Sequence, residues 1–302
     1  MSKIKKLDFH TTLNETQSYI GELALPYILA AFLKNKTVDS GVRTVEDIVK
    51  YAYVAKLTGS GLVQVGQSCD FNPSGTITAT EVKLSPCTLH IDIELCYKDL
   101  EALWNGISSG NLNTQDAGAD FQQALVKVLV DAMNQDFEAK LWNYAGSSGC
   151  TITGLTKQIT NKVTGTTGLT AANIIAAVDA LVAKLPNNVL EDVTGLKIYM
   201  NPKSALLYKQ ALMKLGLNTP ADMPPQTYGG LPIYVIGQIA NNVMVAIQPQ
   251  NIVIGVGAMD NFSQVIIKDM RESTLDNKVR MKIQGNVDAK VIYPAEAAIW
   301  AL

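Results

Sequence analysis

The residue types most able to do chemistry sit together in one run. In Leu89–Cys96, reading LHIDIELC, His90, Asp92 and Glu94 alternate with Ile91, Ile93 and Leu95. Side chains two apart on a strand share a face, so one imidazole and two carboxylates would lie side by side. That is a candidate metal site or acid–base set. Plain alternation on a half-buried strand produces the same pattern, and a solvated or inter-subunit polar face outweighs the chemical reading. The other histidine, His10, falls in a polar N-terminal stretch, and neither histidine has a Ser-His-Asp or Cys-His motif around it. Gly59-Ser60-Gly61 and Gly255-Val256-Gly257 begin a glycine pattern, but Gln64 and Asp260 stand where its last glycine belongs. Neither run precedes a helix, so a dinucleotide loop is not expected.

Lys278, Arg280 and Lys282 alternate with Val279, Met281 and Ile283. They are either a solvated strand face or a cationic ladder that meets acidic groups on an adjacent subunit. Over the whole chain 25 Lys and Arg balance 27 Asp and Glu, so no global basic excess attracts nucleic acid. Lys3, Lys5 and Lys6 are too few for tight DNA binding at physiological salt. Cys69, Cys87, Cys96 and Cys150 form no CxxC pair, and ordinary buried thiols in a reducing compartment are expected. No apolar run approaches the roughly 20 residues that span a bilayer. With 302 residues, 47% hydrophobic and 17% charged, the chain allows one large or two modest domains.

The element that must position the rest is Gln115–Tyr144. Phe121, Leu125, Val128, Leu129, Met133, Phe137, Leu141 and Trp142 recur at steps of three and four, the stripe of an amphipathic helix. About 30 residues at about 1.5 Å each make a rod of roughly 45 Å. Before it, a polar arm leads to expected helices over Thr16–Leu33 and Val45–Ala55, the second with Thr44 as N-cap. Leu62–Gly66 and Thr76–Val82, around the turn Asp70-Phe71-Asn72-Pro73-Ser74-Gly75, read as a long hairpin with a wide tip. Neither of its faces is strongly apolar, and a lone two-stranded ribbon is marginal in water, so it must lean on its own domain or on a neighbour.

After the rod, a Gly/Thr/Ser-rich stretch over residues 146–169 marks a hinge. A helix capped by Thr170 and ended by Pro186 follows, then a strand at Leu196–Met200 and a helix over Lys203–Leu215. Strands are expected at Ile233–Ile236, Val243–Gln248, Ile252–Val256, Asn261–Lys268, Lys278–Gln284 and Ala289–Tyr293, with an apolar tail over Ala295–Leu302.

This order resembles the major capsid proteins of tailed phages, the Hong Kong 97 fold. LHIDIELCYKDLEALW (Leu89–Trp104) looks like the segment joining that family's extended hairpin, the E-loop, to its spine helix, and Asp120–Asn143 looks like the spine. LTAANIIAAVDAL, KIYMNPKSALLYKQAL and YGGLPIYVI look like its axial domain, and IVIGVGAMDNFSQVIIKDM and VDAKVIYPAEAAIW like its closing segments. The signal is the order and spacing of these pieces, since no single motif is diagnostic.

The resemblance implies an α+β fold with an arm over residues 1–55 and an E-loop over 56–88. A peripheral domain with the spine would take 89–165 and 257–286, and an axial domain 166–256 and 287–302. It implies a shell protein that self-assembles through hexameric and pentameric capsomers around the double-stranded DNA of a tailed phage. Its place would be the virion capsid, and the host cytoplasm during assembly. Scaffold, portal and decoration proteins are the partners such a shell allows, with weak non-specific contact to packaged DNA and no membrane. No catalytic residue, cofactor or metal is implied. Leu62, Val63, Val65, Phe71 and Ile77 on the hairpin, with Lys278, Arg280 and Lys282, are the expected inter-subunit contacts. Some members cross-link a hairpin Lys to an Asn, but Lys83 lies at the hairpin base, so that chemistry is not carried over. The short arm points to a separate scaffold protein or none. An encapsulin-like compartment shell is the alternative within the fold, and a soluble α/β enzyme the alternative outside it.

Overall fold

The computed structural model describes residues 17–20, 35–63, 65–66, 74–96, 131–146, 152–191, 195–216, 227–257, 264–270 and 274–302. In chain order they form β1 (Gln17–Ile20), α1 (Lys36–Asp39), β2 (Arg43–Ile48), β3 (Ala52–Ser60), β4 (Thr76–Leu84) and β5 (Cys87–Cys96). Helix α2 is described over residues 131–143. Then come α3 (Leu155–Gln158), β6 (Asn161–Thr164), α4 (Ile174–Ala183), α5 (Asn187–Glu191), β7 (Lys197–Met200) and α6 (Pro202–Lys214). The chain ends with β8 (Thr227–Tyr228), β9 (Leu231–Val235), β10 (Val243–Ile247), β11 (Ile252–Gly257), β12 (Gln264–Asp269), β13 (Lys278–Val291) and β14 (Ala298–Ala301). Two compact units result: one from Met1–Asn35, Cys87–Glu138 and Gly257–Val287, the other from Lys36–Pro86, Ala139–Val256 and Asp288–Leu302.

The first unit is an antiparallel sheet organised on β13. Strand β12 pairs with it from Gln264↔Gln284 to Asp269↔Val279, and β5 pairs with it from Lys278↔Cys96 to Val287↔Cys87. Val279, Met281 and Ile283 are buried while Arg280 between them is exposed, which is what period-two alternation dictates. The expected break between Lys278–Gln284 and Ala289–Tyr293 does not occur. Gly285 pairs with Leu89 and Asn286 with Thr88, so the backbone groups through the supposed gap stay satisfied and the strand continues. Strand β1 pairs with β12, which replaces the start of the helix expected over Thr16–Leu33; the rest of that stretch lies outside the described residues.

The second unit holds a six-stranded sheet in the order β6-β14-β10-β7-β9-β8. Two of its pairings, β6 with β14 and β7 with β9, are parallel. Helices α4 and α6 cover a core that includes Ile174, Val178, Leu181, Ile198, Met200, Met244 and Trp300. Helix α6 starts where Asn201 accepts a hydrogen bond from Lys203 N at 2.9 Å and Pro202 fills the first turn. Helix α4 begins at Ile174, not at the expected Thr170: the intervening residues form a turn in which Thr170 N donates to Asn173 Oδ1 at 2.7 Å. The expected apolar tail contains β14, an interior strand, because Ala298, Ile299 and Trp300 supply buried surface between β6 and β10.

Helix α2 buries Met133, Phe137, Leu141 and Trp142, the stripe seen in the sequence, and Asn134 and Glu138 beside it. It ends near Gly146, which takes φ 90°. The first half of the expected rod, residues 115–130, lies outside the described residues. The helix expected over Val45–Ala55 is a correction: the chain there is extended, as β2 and β3. Thr44 caps nothing, and Ile48, Val54 and Leu84 close a small core with Val253 and Ile292 that only an extended chain can reach.

Candidate interaction site: the exposed hairpin and the charged strand face

Strands β3 and β4 form a two-stranded sheet of their own, in register from Ala52↔Leu84 to Ser60↔Thr76. The hairpin expected from the turn residues is present, but its first strand is Ala52–Ser60 rather than Leu62–Gly66. Gly61 and Gly75 form its neck. Both take positive φ, at 65° and 85°, and a Cβ on Gly75 would stand 2.7 Å from the Gly61 carbonyl oxygen. At the base, Val54 and Leu84 are buried in the small core, and the Lys83 ammonium sits 4.7 Å over the Tyr51 ring. Away from the base, β4 is exposed from Thr76 to Glu81, and β3 ends exposed from Leu57 to Ser60.

The hairpin contacts expected from the sequence fall on this limb. Val63 and Val65 are 89% and 102% exposed, and Leu62 and Ile77 are exposed too. Phe71 lies outside the described residues. Tyr51, Tyr53 and Leu57 are further exposed apolar side chains on the limb. The sequence reading missed them because it placed a helix over the first two. Alternation across KYAYVAKL was the signal that could have found them.

Lys278 and Arg280 on β13 meet an acidic group of their own chain. Glu94 accepts from Arg280 Nε at 2.9 Å and from Lys278 Nζ. The Lys278 bond, then the Arg280 bond, hold the Glu94 carboxyl below the ordinary value, and the Glu94 bond holds the Lys278 ammonium above its own. Lys282 stands opposite Asp92 in the register, and His90 Nε2 lies 4.0 Å from Asp92 Oδ2. So His90, Asp92 and Glu94 do share a face, but Glu94 is turned to the two cations. Among the described residues no three His, Cys, Asp or Glu side chains gather to hold a metal. Asp92, Glu94, Ile266, Lys268, Arg280 and Lys282 contribute to an open groove of about 540 Å³.

A polar cluster that sequence reading did not find ties α1 into the second unit. Trp142 Nε1 donates to Thr37 Oγ1 at 2.9 Å, and Ser40 Oγ meets Tyr199 Oη at 2.7 Å. Lys197 Nζ donates to the Ser40 carbonyl at 2.8 Å while lying 4.4 Å over the Tyr234 ring. Burial raises the Tyr199 phenol well above its ordinary value, so it stays a neutral hydrogen-bonding group. Cys87 is disulfide-bonded, against the expectation of free thiols, whereas Cys96 is free.

No protein-family model matches the chain, and no curated protein matches it in sequence. Solved structures do match. The satellite phage P4 procapsid protein, in a structure that includes the size-determination protein Sid, superposes with a TM-score of 0.59 at 14% identity, over 92% of this chain and 98% of that one. The chain has the tailed-phage capsid fold. The same capsid fold links it to the capsid of a native GTA particle, with a TM-score of 0.61 at 15% identity over 90% of this chain and 91% of that one. It also links it to the holo-SrpI encapsulin complex of Synechococcus elongatus PCC 7942, with a TM-score of 0.55 at 9% identity over 89% and 88%.

Proposed function

We propose that the chain is the major capsid protein of a tailed phage, a subunit that builds an icosahedral shell around double-stranded DNA. The observation that carries this reading is the β3–β4 hairpin of a capsid-fold chain, exposed over most of its length and tipped with Leu62, Val63, Val65 and Ile77. A limb of this kind gains stability when a second copy covers it, at about 1.5–3 kcal/mol for each apolar side chain fully buried. In this reading the hairpin is the E-loop and helix α2 the end of the spine. The peripheral domain takes residues 89–165 and 257–286, and the axial domain 166–256 and 287–302. The role is geometric: a heterologous contact that closes by rotation makes rings, here five- and six-membered capsomers. Scaffold, portal and decoration proteins are its further partners, packaged DNA its weak contact, and the host cytoplasm its place before assembly.

Likeness to the SrpI encapsulin favours one second reading, a compartment shell that encloses protein cargo. Negative-stain images of the expressed chain test the shell reading, with closed particles expected and a monodisperse monomer at high concentration overturning it. Nuclease-protected DNA in particles from infected cells supports the phage reading; particles filled with protein alone support the compartment.

A further inference from the structure

The hairpin leaves the body at a joint whose chemistry the shell reading does not use. Strand β5 pairs with β13 as far as Cys87↔Val287. The next position is Pro86, which has no backbone N–H and cannot extend the ladder. There Asp288 turns a carboxylate into the gap. Its oxygen Oδ2 accepts from Ser85 N at 2.8 Å, and Oδ1 accepts from Ala289 N at 2.8 Å. Its side chain is fully buried. The charged group facing it is Lys290, whose Nζ lies 3.7 Å from Oδ1. Ser85 follows Leu84, the last residue of β4, which is itself fully buried in the core under the hairpin base.

We propose that Asp288 is the positioning residue of the hairpin: its buried carboxylate fixes the Ser85 backbone and thereby the direction in which β4 leaves the body. An isolated carboxylate so deeply buried is costly, and the surrounding donors account for its presence. Two backbone N–H groups and an ammonium face it, so two acceptor oxygens are needed. A hydroxyl or an amide offers fewer, and an apolar side chain none. Where Pro86 has no N–H to donate, the N–H of Ser85 beside it donates to a side chain 203 positions further on from Ser85. Because it deepens the reading of the hairpin as the limb that clasps a second copy, it also predicts that Asp288 sets how readily the limb finds its place.

Hydrogen exchange at single-amide resolution on the full chain tests it. In Asp288→Asn one oxygen remains, so either the Ser85 or the Ala289 amide loses about tenfold or more of its protection. In Asp288→Leu, which fills the space but accepts nothing, both lose it and the β4 amides exchange faster. Amides of β7 and β10 keep wild-type protection in both. Wild-type protection of both Ser85 and Ala289 in Asp288→Asn overturns the proposal, and so does uniform loss that includes β7 and β10. Should Asp288→Leu not fold, Asp288→Asn decides alone. Particle formation by the wild-type chain judges the shell reading; the exchange pattern judges the joint, with or without particles.

Discussion

Glu94 holds two cations with one carboxylate on an exposed face, and Asp288 holds two backbone N–H groups and faces an ammonium with one carboxylate in the interior. The same functional group therefore titrates in opposite directions. Glu94 is held below its ordinary 4.5, so whatever stability it contributes is present above that value and is lost as pH falls through its folded value. A carboxyl-detected NMR titration should place its midpoint below 4.5, and Lys278→Gln should move it back up. Exposed pairs contribute little, so Glu94→Gln should leave the thermal midpoint essentially unchanged.

Burial raises Asp288 above its ordinary 3.8 against the bond from Ser85, the charge of Lys290 and the bond from Ala289. The folded chain then binds that proton more tightly than the unfolded one. This group costs stability above its folded value, and the cost fades as pH falls toward 3.8. Asp288→Asn is neutral throughout, so wild-type stability should gain on that of the variant as pH falls, read from denaturant midpoints across the acid range. A constant difference would contradict the assignment. These roles were illegible beforehand: DAKV reads as a strand with a charge on it, and only the fold brings Ser85 to it.

At the scale of elements, the hairpin and helix α2 differ in how far their residues announced them. The stripe Met133, Phe137, Leu141 and Trp142 is local, because a helix places residues four apart on one face whatever surrounds it. Trp142 is fully buried, with its indole N–H on Thr37, and Trp142→Ala should cost about 3–5 kcal/mol in chemical denaturation. The hairpin was legible at its second strand and not at its first. Thr44 followed by Glu46 and Asp47 imitates a helix start, but Ile48 and Val54 find their apolar partners in Leu84, Val253 and Ile292, and that core requires an extended chain. On the limb itself, Val63→Asp with Ile77→Asp touches no buried surface. Folding stability should stay within about 0.5 kcal/mol of wild type, while particles in negative stain should fall sharply. Unchanged particles would remove the hairpin from the assembly contact.

For the molecule as a whole, the order of elements along the chain indicated the capsid fold at identities of 14–15% to the matching phage P4 and GTA structures. Order survives where individual residues do not, because it reflects periodicity and turn chemistry, which many sequences satisfy. On the proposed shell reading, assembly should depend on concentration, measurable as a threshold in light scattering against protein concentration.

The sequence by itself determined which stretches are helical or extended wherever the pattern is local: the α2 stripe, the Asn201-Pro202 start of α6, and the alternation in β5 and β13. It also determined that Thr76–Val82 is extended. Only the tertiary structure decided that the C-terminal apolar stretch is an interior strand, that β13 runs unbroken past Gly285, and that Lys278 and Arg280 spend their charge on Glu94. Each of these depends on a partner far away in the chain, and a backbone or a charge is satisfied by whatever the fold brings beside it.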